Sequence, residues 1–191
     1  MMETIGEDIK KEGDILELRR KKLFDFFKNK QAWIIAFIII ALILGVYIRT
    51  QPMKIRPETG KPGLWDITTN TWTLGPDLDP WLFTRYAKII SENGKLPEID
   101  NMRYIPLGVE TAKETKLLPY MISWVYFIAH TFDKNINVEY AAVIFPVIMF
   151  ALTILSFFFF AREIFIDKEN KNKANVIAII STFFMIVIPV F

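Results

Sequence analysis

The chain has 191 residues, of which 52% are apolar, with a formal net charge of +2 and no cysteine. The lack of cysteine excludes disulfide scaffolds, zinc fingers and thiolate chemistry. The near-neutral charge, without a long block of one sign, argues against nucleic-acid binding. Three apolar runs, 33–48, 141–160 and 176–191, are nearly free of charge. Because lipid offers no partner for backbone amides, such runs form helices, and we predict an all-α polytopic membrane protein.

The N-terminal segment, residues 1–32, carries many charges, and its apolar residues recur at roughly helical spacing among lysines and arginines. This pattern is typical of an amphipathic helix on the membrane surface. Trp33 then marks the entry into the bilayer, where aromatic side chains favour the headgroup level. We predict a cytoplasmic amphipathic segment over 1–32 and a first transmembrane helix over 33–49.

Residues 50–139 are predicted to form the first external loop. Dense proline and glycine after residue 49 end the first helix, and a loop of this length is uncommon without a function. Within it, residues 79–93 are predicted to be helical, with Asp79 as N-cap, Pro80 at the first helical position and Gly94 at the stop. One apolar face is expected on this helix, formed by Leu82, Phe83, Tyr86, Ile89 and Ile90.

The apolar segment 116–132 decides the topology, because it is short for a crossing. Basic residues near span ends stay cytoplasmic, which places both the N-terminal segment and the loop 161–174 inside. The helix 140–160 must then enter from outside, so 116–132 is predicted to be an interfacial helix of the external loop. Arg49, at the outer end of the first helix, opposes this assignment. A third transmembrane helix is predicted over 175–191, and we expect the chain to be the N-terminal part of a longer protein.

The stretch GPDLDPWLFTRYA, residues 75–87, holds the candidate site. Hard divalent cations prefer carboxylate oxygens, and residues two apart in an extended segment point to the same side. Asp77 and Asp79 could therefore bind one cation together, while Arg85 could contact an anionic phosphate. The same Asp-x-Asp-Pro pattern also suits a helix cap, so spacing alone leaves both interpretations open. His130, a lone histidine on an apolar helix, is interpreted as structural.

A family resemblance is carried by LDPWLFTRYAKIISENGKLPEIDNMRYIPLG, residues 78–108. It resembles the first external loop of the catalytic subunit of oligosaccharyltransferase, especially the archaeal type. The shared pattern is an acidic residue before proline and an aromatic, an Arg-Tyr pair, a small helix and a later YPLG-like segment. Here that segment is Tyr104–Gly108, with an inserted isoleucine. The apolar stretch LLPYMISWVYFIAH is similar to the external-loop helix of the family.

The resemblance implies the N-terminal part of a GT-C type transmembrane domain. Its activity would transfer an oligosaccharide from a lipid-phosphate carrier to asparagine in Asn-x-Ser/Thr sequons of an acceptor polypeptide. It makes Asp79 a catalytic residue and a ligand of a divalent cation, Mn²⁺ or Mg²⁺, and Asp77 a less secure second ligand. The site would face the outside of the cell membrane.

Two departures from the family pattern matter. The family uses further acidic motifs and a Trp-Trp-Asp signature, and this chain contains no Trp-Trp-Asp. We therefore expect the chain alone to be inactive. Two alternatives remain open: another transferase of lipid-linked sugars, such as a protein mannosyltransferase or an aminoarabinose transferase, and a non-catalytic membrane subunit or transporter fragment in which Asp79 only caps a helix.

Overall fold

The structure is a computed structural model that describes residues 17–20, 30–75, 77–166 and 171–188. Most of the predicted amphipathic segment 1–32 and part of the predicted loop 161–174 lie outside these ranges. In chain order the elements are α1 (Lys30–Thr50), β1 (Trp65–Asp66), β2 (Thr71–Trp72), α2 (Leu78–Asn93), β3 (Ile99–Asp100), β4 (Val109–Glu110), α3 (Leu117–Phe132), α4 (Val138–Ile164) and α5 (Lys171–Val187). The chain divides into two compact units, Met1–Gly45 with Thr153–Phe191, and Val46–Leu152.

Two helical stretches are long and apolar enough to cross a membrane, Gln31–Met53 with 23 residues and Val138–Ile164 with 27. Both coincide with predicted spans. At about 1.5 Å per residue, each covers the roughly 30 Å of a hydrocarbon core. The third predicted span, 175–191, overlaps α5, which has 17 residues. Residues 189–191 lie outside the described part, and a third crossing stays a prediction.

The first unit has a small core where helices approach closely. Ala161 and Ala178 are almost fully buried and pack beside Phe158. Partly buried side chains of α1 and α5 complete the cluster, namely Ile34, Phe37, Ile38 and Ile179. Small side chains at such contacts let helix backbones come close together, which favours packing by van der Waals contact.

The second unit is organised around the pair of helices α2 and α3. Ala87 of α2 and Ile122 of α3 are buried together. The Ser123 hydroxyl, fully buried, lies 2.9 Å from the carbonyl oxygen of Ala87 and 2.9 Å from that of Pro119 in its own helix. Its small side chain lets the backbones of α2 and α3 approach closely at this point. The same apolar cluster includes Val138, Ala142 and Phe145 from α4.

Helix α3 has one buried face and one exposed apolar face. Its 16 residues extend about 24 Å, which is less than the roughly 30 Å of a hydrocarbon core. The exposed side carries Leu117, Trp124, Ile128 and Phe132, each at least 60% exposed. A short helix with this pattern suits the interfacial position predicted for 116–132.

The start of α2 corrects the predicted helix cap. The helix begins at Leu78, with Asp77 rather than Asp79 as the N-cap residue, and Asp77 makes no side-chain cap hydrogen bond. Asp79 and Pro80 therefore lie within the first turn. Proline is tolerated there because the first amides of a helix have no intrahelical partner. The predicted stop is confirmed, since Gly94 follows the helix in a left-handed conformation with φ of 78°.

Two short antiparallel hairpins correct the prediction of an all-α chain, although the chain is mostly helical. Strand β1 pairs with β2, and β3 pairs with β4. The loop of the second hairpin closes on the Tyr104 carbonyl, which accepts from the amides of Leu107 at 2.8 Å and Gly108 at 3.1 Å. Gly108 has φ of 72°, and a Cβ there would approach Ile99 Cγ2 to 2.6 Å. A larger residue there would be strained by the left-handed backbone and would have to displace the Ile99 side chain.

Single cysteines at Glu58, Lys134 and Lys173, one at a time in this cysteine-free chain, test the topology. With α3 interfacial, we expect Glu58→Cys and Lys134→Cys to react with a membrane-impermeant maleimide from the same side. Lys173→Cys should react only from the other side, or after permeabilisation. Reaction of Glu58→Cys and Lys134→Cys from opposite sides would make α3 a full crossing.

Candidate functional site

An open cleft of about 850 Å³ lies beside the first half of α2. We call it the α2 cleft. Its charged lining comes from Asp79, Arg85 and Lys88 of α2, Arg103 of the second hairpin loop and Glu139 of α4. Apolar lining is supplied by Leu78, Trp81, Leu82 and Met102. The cleft thus combines charged groups of both signs with an apolar surface.

Asp79 differs from the other charges of the cleft in its surroundings. It is exposed in the first turn of α2, where the amide dipoles of the helix favour a negative charge. No side chain or amide within the described ranges forms a hydrogen bond or an ion pair with its carboxylate. Its oxygens therefore remain available to a ligand in the cleft.

The other charges of the α2 cleft already have partners. Arg85 pairs with Asp100, Lys88 Nζ lies 3.4 Å from Glu139 Oε1, and Arg103 Nη1 lies 2.8 Å from Glu114 Oε1. Among the charged side chains that line this cleft in the described structure, Asp79 alone is unpaired. An uncompensated carboxylate in such a place favours a cationic ligand.

Asp100 is the buried centre of a polar network behind the cleft. It is only 4% exposed and accepts from both Nη atoms of Arg85, from the Tyr86 hydroxyl at 3.0 Å and from the Met102 amide at 3.1 Å. The Arg85 guanidinium, helped by the Met102 amide and the Tyr86 hydroxyl, lowers the pKa of Asp100. The carboxylate therefore stays ionised despite its burial.

The network continues through Tyr86 to Arg103. Arg103 Nη1 donates to the Tyr86 hydroxyl at 3.2 Å, so this guanidinium contacts both Tyr86 and Glu114. Hydrogen bonds to Tyr86 and Glu114 raise the pKa of Arg103, and burial raises the pKa of Tyr86. These groups connect α2, the second hairpin and the segment before α3, and they fix the charged wall of the cleft.

Arg85 lies in the α2 cleft, but not as the free cation that the sequence suggested. The Arg85 guanidinium forms an ion pair with Asp100, and the Arg85 side chain is 28% exposed. Sequence reasoning missed Asp100 and Arg103 because both join α2 only across the second hairpin. The spacing of Asp100 and Arg103 in the stretch IDNMR did not indicate that they contact α2.

Asp77 does not lie with Asp79 in the cleft. Its backbone is extended, with φ of −67° and ψ of 146°, whereas Asp79 is helical. The assumption that both residues belong to one extended segment is therefore wrong, because helical residues two apart lie on different faces. Asp77 is exposed and does not line the α2 cleft.

The described residues alone do not form a complete metal site. No group of three or more histidine or acidic side chains converges anywhere within the described ranges. Asp79 offers a single carboxylate, whereas Mg²⁺ and Mn²⁺ take several oxygen ligands. His130 plays no part here, because its Nδ1 lies 3.0 Å from the carbonyl oxygen of Ile136.

Comparison of the chain with protein-family models, curated proteins and solved structures found no match. The oligosaccharyltransferase resemblance therefore depends on the sequence pattern of residues 78–108. The geometry adds one independent fact, namely that Asp79 and Arg85 line the same cleft.

Asp100→Asn tests the network behind the cleft. Removing one charge of a buried ion pair whose other member is partly exposed should lower the free energy of unfolding by about 2–3 kcal/mol at neutral pH. Denaturant unfolding in detergent, followed by tryptophan fluorescence, measures the loss. Glu98→Gln, an exposed acid on the same segment, is the matched control and should change little.

The pH dependence of that difference is a second readout. The pKa of Asp100 is lower in the folded state than its ordinary value of 3.8. Its stabilisation is therefore complete above the unfolded pKa and is lost as pH falls through the folded pKa. The stability difference between the two proteins should therefore shrink as the pH falls below 3.8. A difference that stays constant throughout the acid range would show that Asp100 acts by packing alone.

Proposed function

We propose that the chain is the N-terminal membrane part of an archaeal-type oligosaccharyltransferase. The enzyme would transfer an oligosaccharide from a lipid-phosphate carrier to asparagine in Asn-x-Ser/Thr sequons. The observation that supports the proposal is that Asp79 lines the α2 cleft without a partner among the described residues. The acidic residue that the family resemblance singles out is also the unpaired carboxylate of the described α2 cleft.

The basic wall of the α2 cleft supports a phosphate-bearing donor. A guanidinium has five N–H donors and an ammonium has three, so Arg85, Lys88 and Arg103 keep spare donors while they hold their carboxylate partners. Phosphate oxygens accept such charge-assisted hydrogen bonds well. The pairing also reduces the net charge of the wall. The site would therefore select a phosphate by the positions of its N–H donors more than by its overall electrostatic potential.

A divalent cation, Mn²⁺ or Mg²⁺, belongs to the proposal with Asp79 as one of its ligands. Further oxygen ligands would have to come from outside the described residues, in the longer enzyme that the proposal implies. When bound, the cation would supply positive charge that offsets the phosphate leaving group. The part played by this chain is to hold the Asp79 carboxylate open at the start of α2.

The apolar helices support a substrate that is partly lipid. We place the protein in the cell membrane, with the α2 cleft on the outer side and α3 at the membrane surface. The carrier tail could then remain in hydrocarbon while its phosphate enters the cleft. The exposed apolar residues Leu78 and Met102 at the cleft suit the junction between phosphate and tail.

Asp79→Asn, compared with Asp77→Asn, tests the proposal in the complete enzyme. Loss of a charge used in the transition state should lower the transfer rate about 100-fold or more. It should also raise the Mn²⁺ concentration needed for half-maximal rate. Asp77→Asn, two residues away and outside the cleft, should change the rate less than about 3-fold.

The measurement is transfer of lipid-linked oligosaccharide to a fluorescent Asn-x-Thr peptide. The same peptide with Gln in place of Asn should stay unmodified. Equally small effects of Asp79→Asn and Asp77→Asn on the transfer rate would show that Asp79 has no catalytic role and only places a charge in the first turn of α2. Glycosylation on the hydroxyl residue instead of asparagine would point to a mannosyltransferase type of enzyme.

A further inference from the structure

A second open cleft, of about 510 Å³, lies against the hairpin of β1 and β2. We call it the hairpin cleft. Its lining includes Trp65, Asp66, Thr68, Thr73 and Trp81. Trp81 lines the α2 cleft as well, so the two clefts share a wall. Asp79 is only two residues before Trp81 on the same helix.

The aromatic side chains of the hairpin cleft are held in place by specific contacts. Trp65 pairs with Trp72 across the hairpin, and their rings meet edge to face with centroids 5.6 Å apart. Trp72 contacts Tyr140 at 5.3 Å. The indole N–H of Trp81 donates to the Gly75 carbonyl at 3.2 Å. Because these rings are fixed without a ligand, little side-chain entropy is lost on binding.

The polar side chains are ordered by the turn of the hairpin. Asp66 accepts from the Thr68 amide at 2.9 Å, from the Thr69 hydroxyl at 2.6 Å and from the Thr69 amide at 3.3 Å. The Thr69 hydroxyl, followed by the Thr68 amide, lowers the pKa of Asp66, which favours the ionised form. A carboxylate has about four acceptor positions, so Asp66 keeps capacity for about one further hydrogen bond. The Thr73 hydroxyl lies 3.3 Å from the amide of Gly75.

This combination suits one class of ligand best. A pyranose ring has a C–H face of slightly positive character and a rim of hydroxyl groups. Indole faces are slightly negative, so they attract the C–H face, while Asp66 and Thr73 match the hydroxyl rim. A purely apolar ligand would leave Asp66 unused. The Trp65 ring already has a cation beside it, since Lys61 Nζ lies over the ring at 5.1 Å from its centroid.

We propose that the hairpin cleft is a saccharide-binding subsite, in which Trp65 and Trp81 contact a sugar ring and Asp66 accepts from its hydroxyls. The sugar chemistry stands on the cleft itself. Its assignment to the glycan of the lipid-linked donor rests on the proposed function. In that case Trp81 separates the phosphate side, next to Asp79, from the sugar side.

Saturation-transfer difference NMR on the chain in nanodiscs tests the subsite with methyl glycosides of glucose, galactose, mannose and N-acetylglucosamine. We expect saturable signals from ring C–H protons of at least one glycoside. Trp81→Ala and Trp65→Ala should each weaken that binding about tenfold. Trp81→Phe, which keeps an aromatic face, should retain most of it. Far-UV circular dichroism shows whether each variant keeps its helical content.

Trp124→Ala is the matched control, because Trp124 lies on the exposed face of α3 and lines neither cleft. It should leave the signals unchanged. Sorbitol, which has hydroxyls but no ring face, should not compete. Three results would each overturn the subsite. They are the absence of a signal from all four glycosides, signals that persist in folded Trp65→Ala and Trp81→Ala, and displacement of the glycoside by sorbitol.

The two proposals fail differently. Loss of the saccharide signal, with Asp79-dependent transfer intact, would remove the subsite and leave the proposed function. A tryptophan-dependent saccharide signal, with transfer indifferent to Asp79→Asn, would remove the proposed function and leave a sugar-binding cleft.

Discussion

The buried carboxylate of Asp100 is the interaction on which the packing of the second hairpin against α2 depends. It takes donors from two neighbouring residues of α2, Arg85 and Tyr86, and from the amide of Met102 in the second hairpin. A charge only 4% exposed is tolerated because several donors replace the water that it has lost. Without that replacement the hairpin would have little to hold it against α2, since its strands have two residues each.

The same pairing determines what the α2 cleft can do. Arg85, Lys88 and Arg103 are committed to carboxylates, so the wall holds its geometry while its net charge is low. Asp79 lies in the first turn of α2 instead of at its cap, lines the cleft, and has no partner among the described side chains. The main electrostatic feature of the site is therefore the contrast between three paired basic side chains and one unpaired carboxylate in the described cleft.

Much of the fold could be predicted from the sequence, because long apolar runs and a glycine after a helix act locally. The bounds of α2 and α3 agree with prediction to within one or two residues. Tyr86 and Ile90 are buried, as the spacing of the apolar face indicated. The hairpins could not be predicted in this way, because two-residue strands carry no alternating pattern and depend on side-chain contacts such as those of Asp66.

The candidate site was predictable only in part, for the same reason. Asp79 and Arg85 lie on one helix, so their presence at one cleft follows from a local pattern. The partner of Arg85 lies 15 residues away, beyond the end of α2 at Gly94. Asp77 and Asp79 do not share one extended segment, because α2 begins at Leu78 and includes Asp79 even though proline follows it. A cation shared by the two carboxylates stays a prediction.

Glu139 connects the α2 cleft to a helix that is long and apolar enough to cross a membrane. It lines the cleft, pairs with Lys88, and belongs to the first turn of α4, a helix of membrane-crossing length. A change in the tilt of α4, as follows from a change in bilayer thickness, would displace one carboxylate of the cleft relative to α2. With α4 in a bilayer, lipid composition would become a variable in the electrostatics of the cleft.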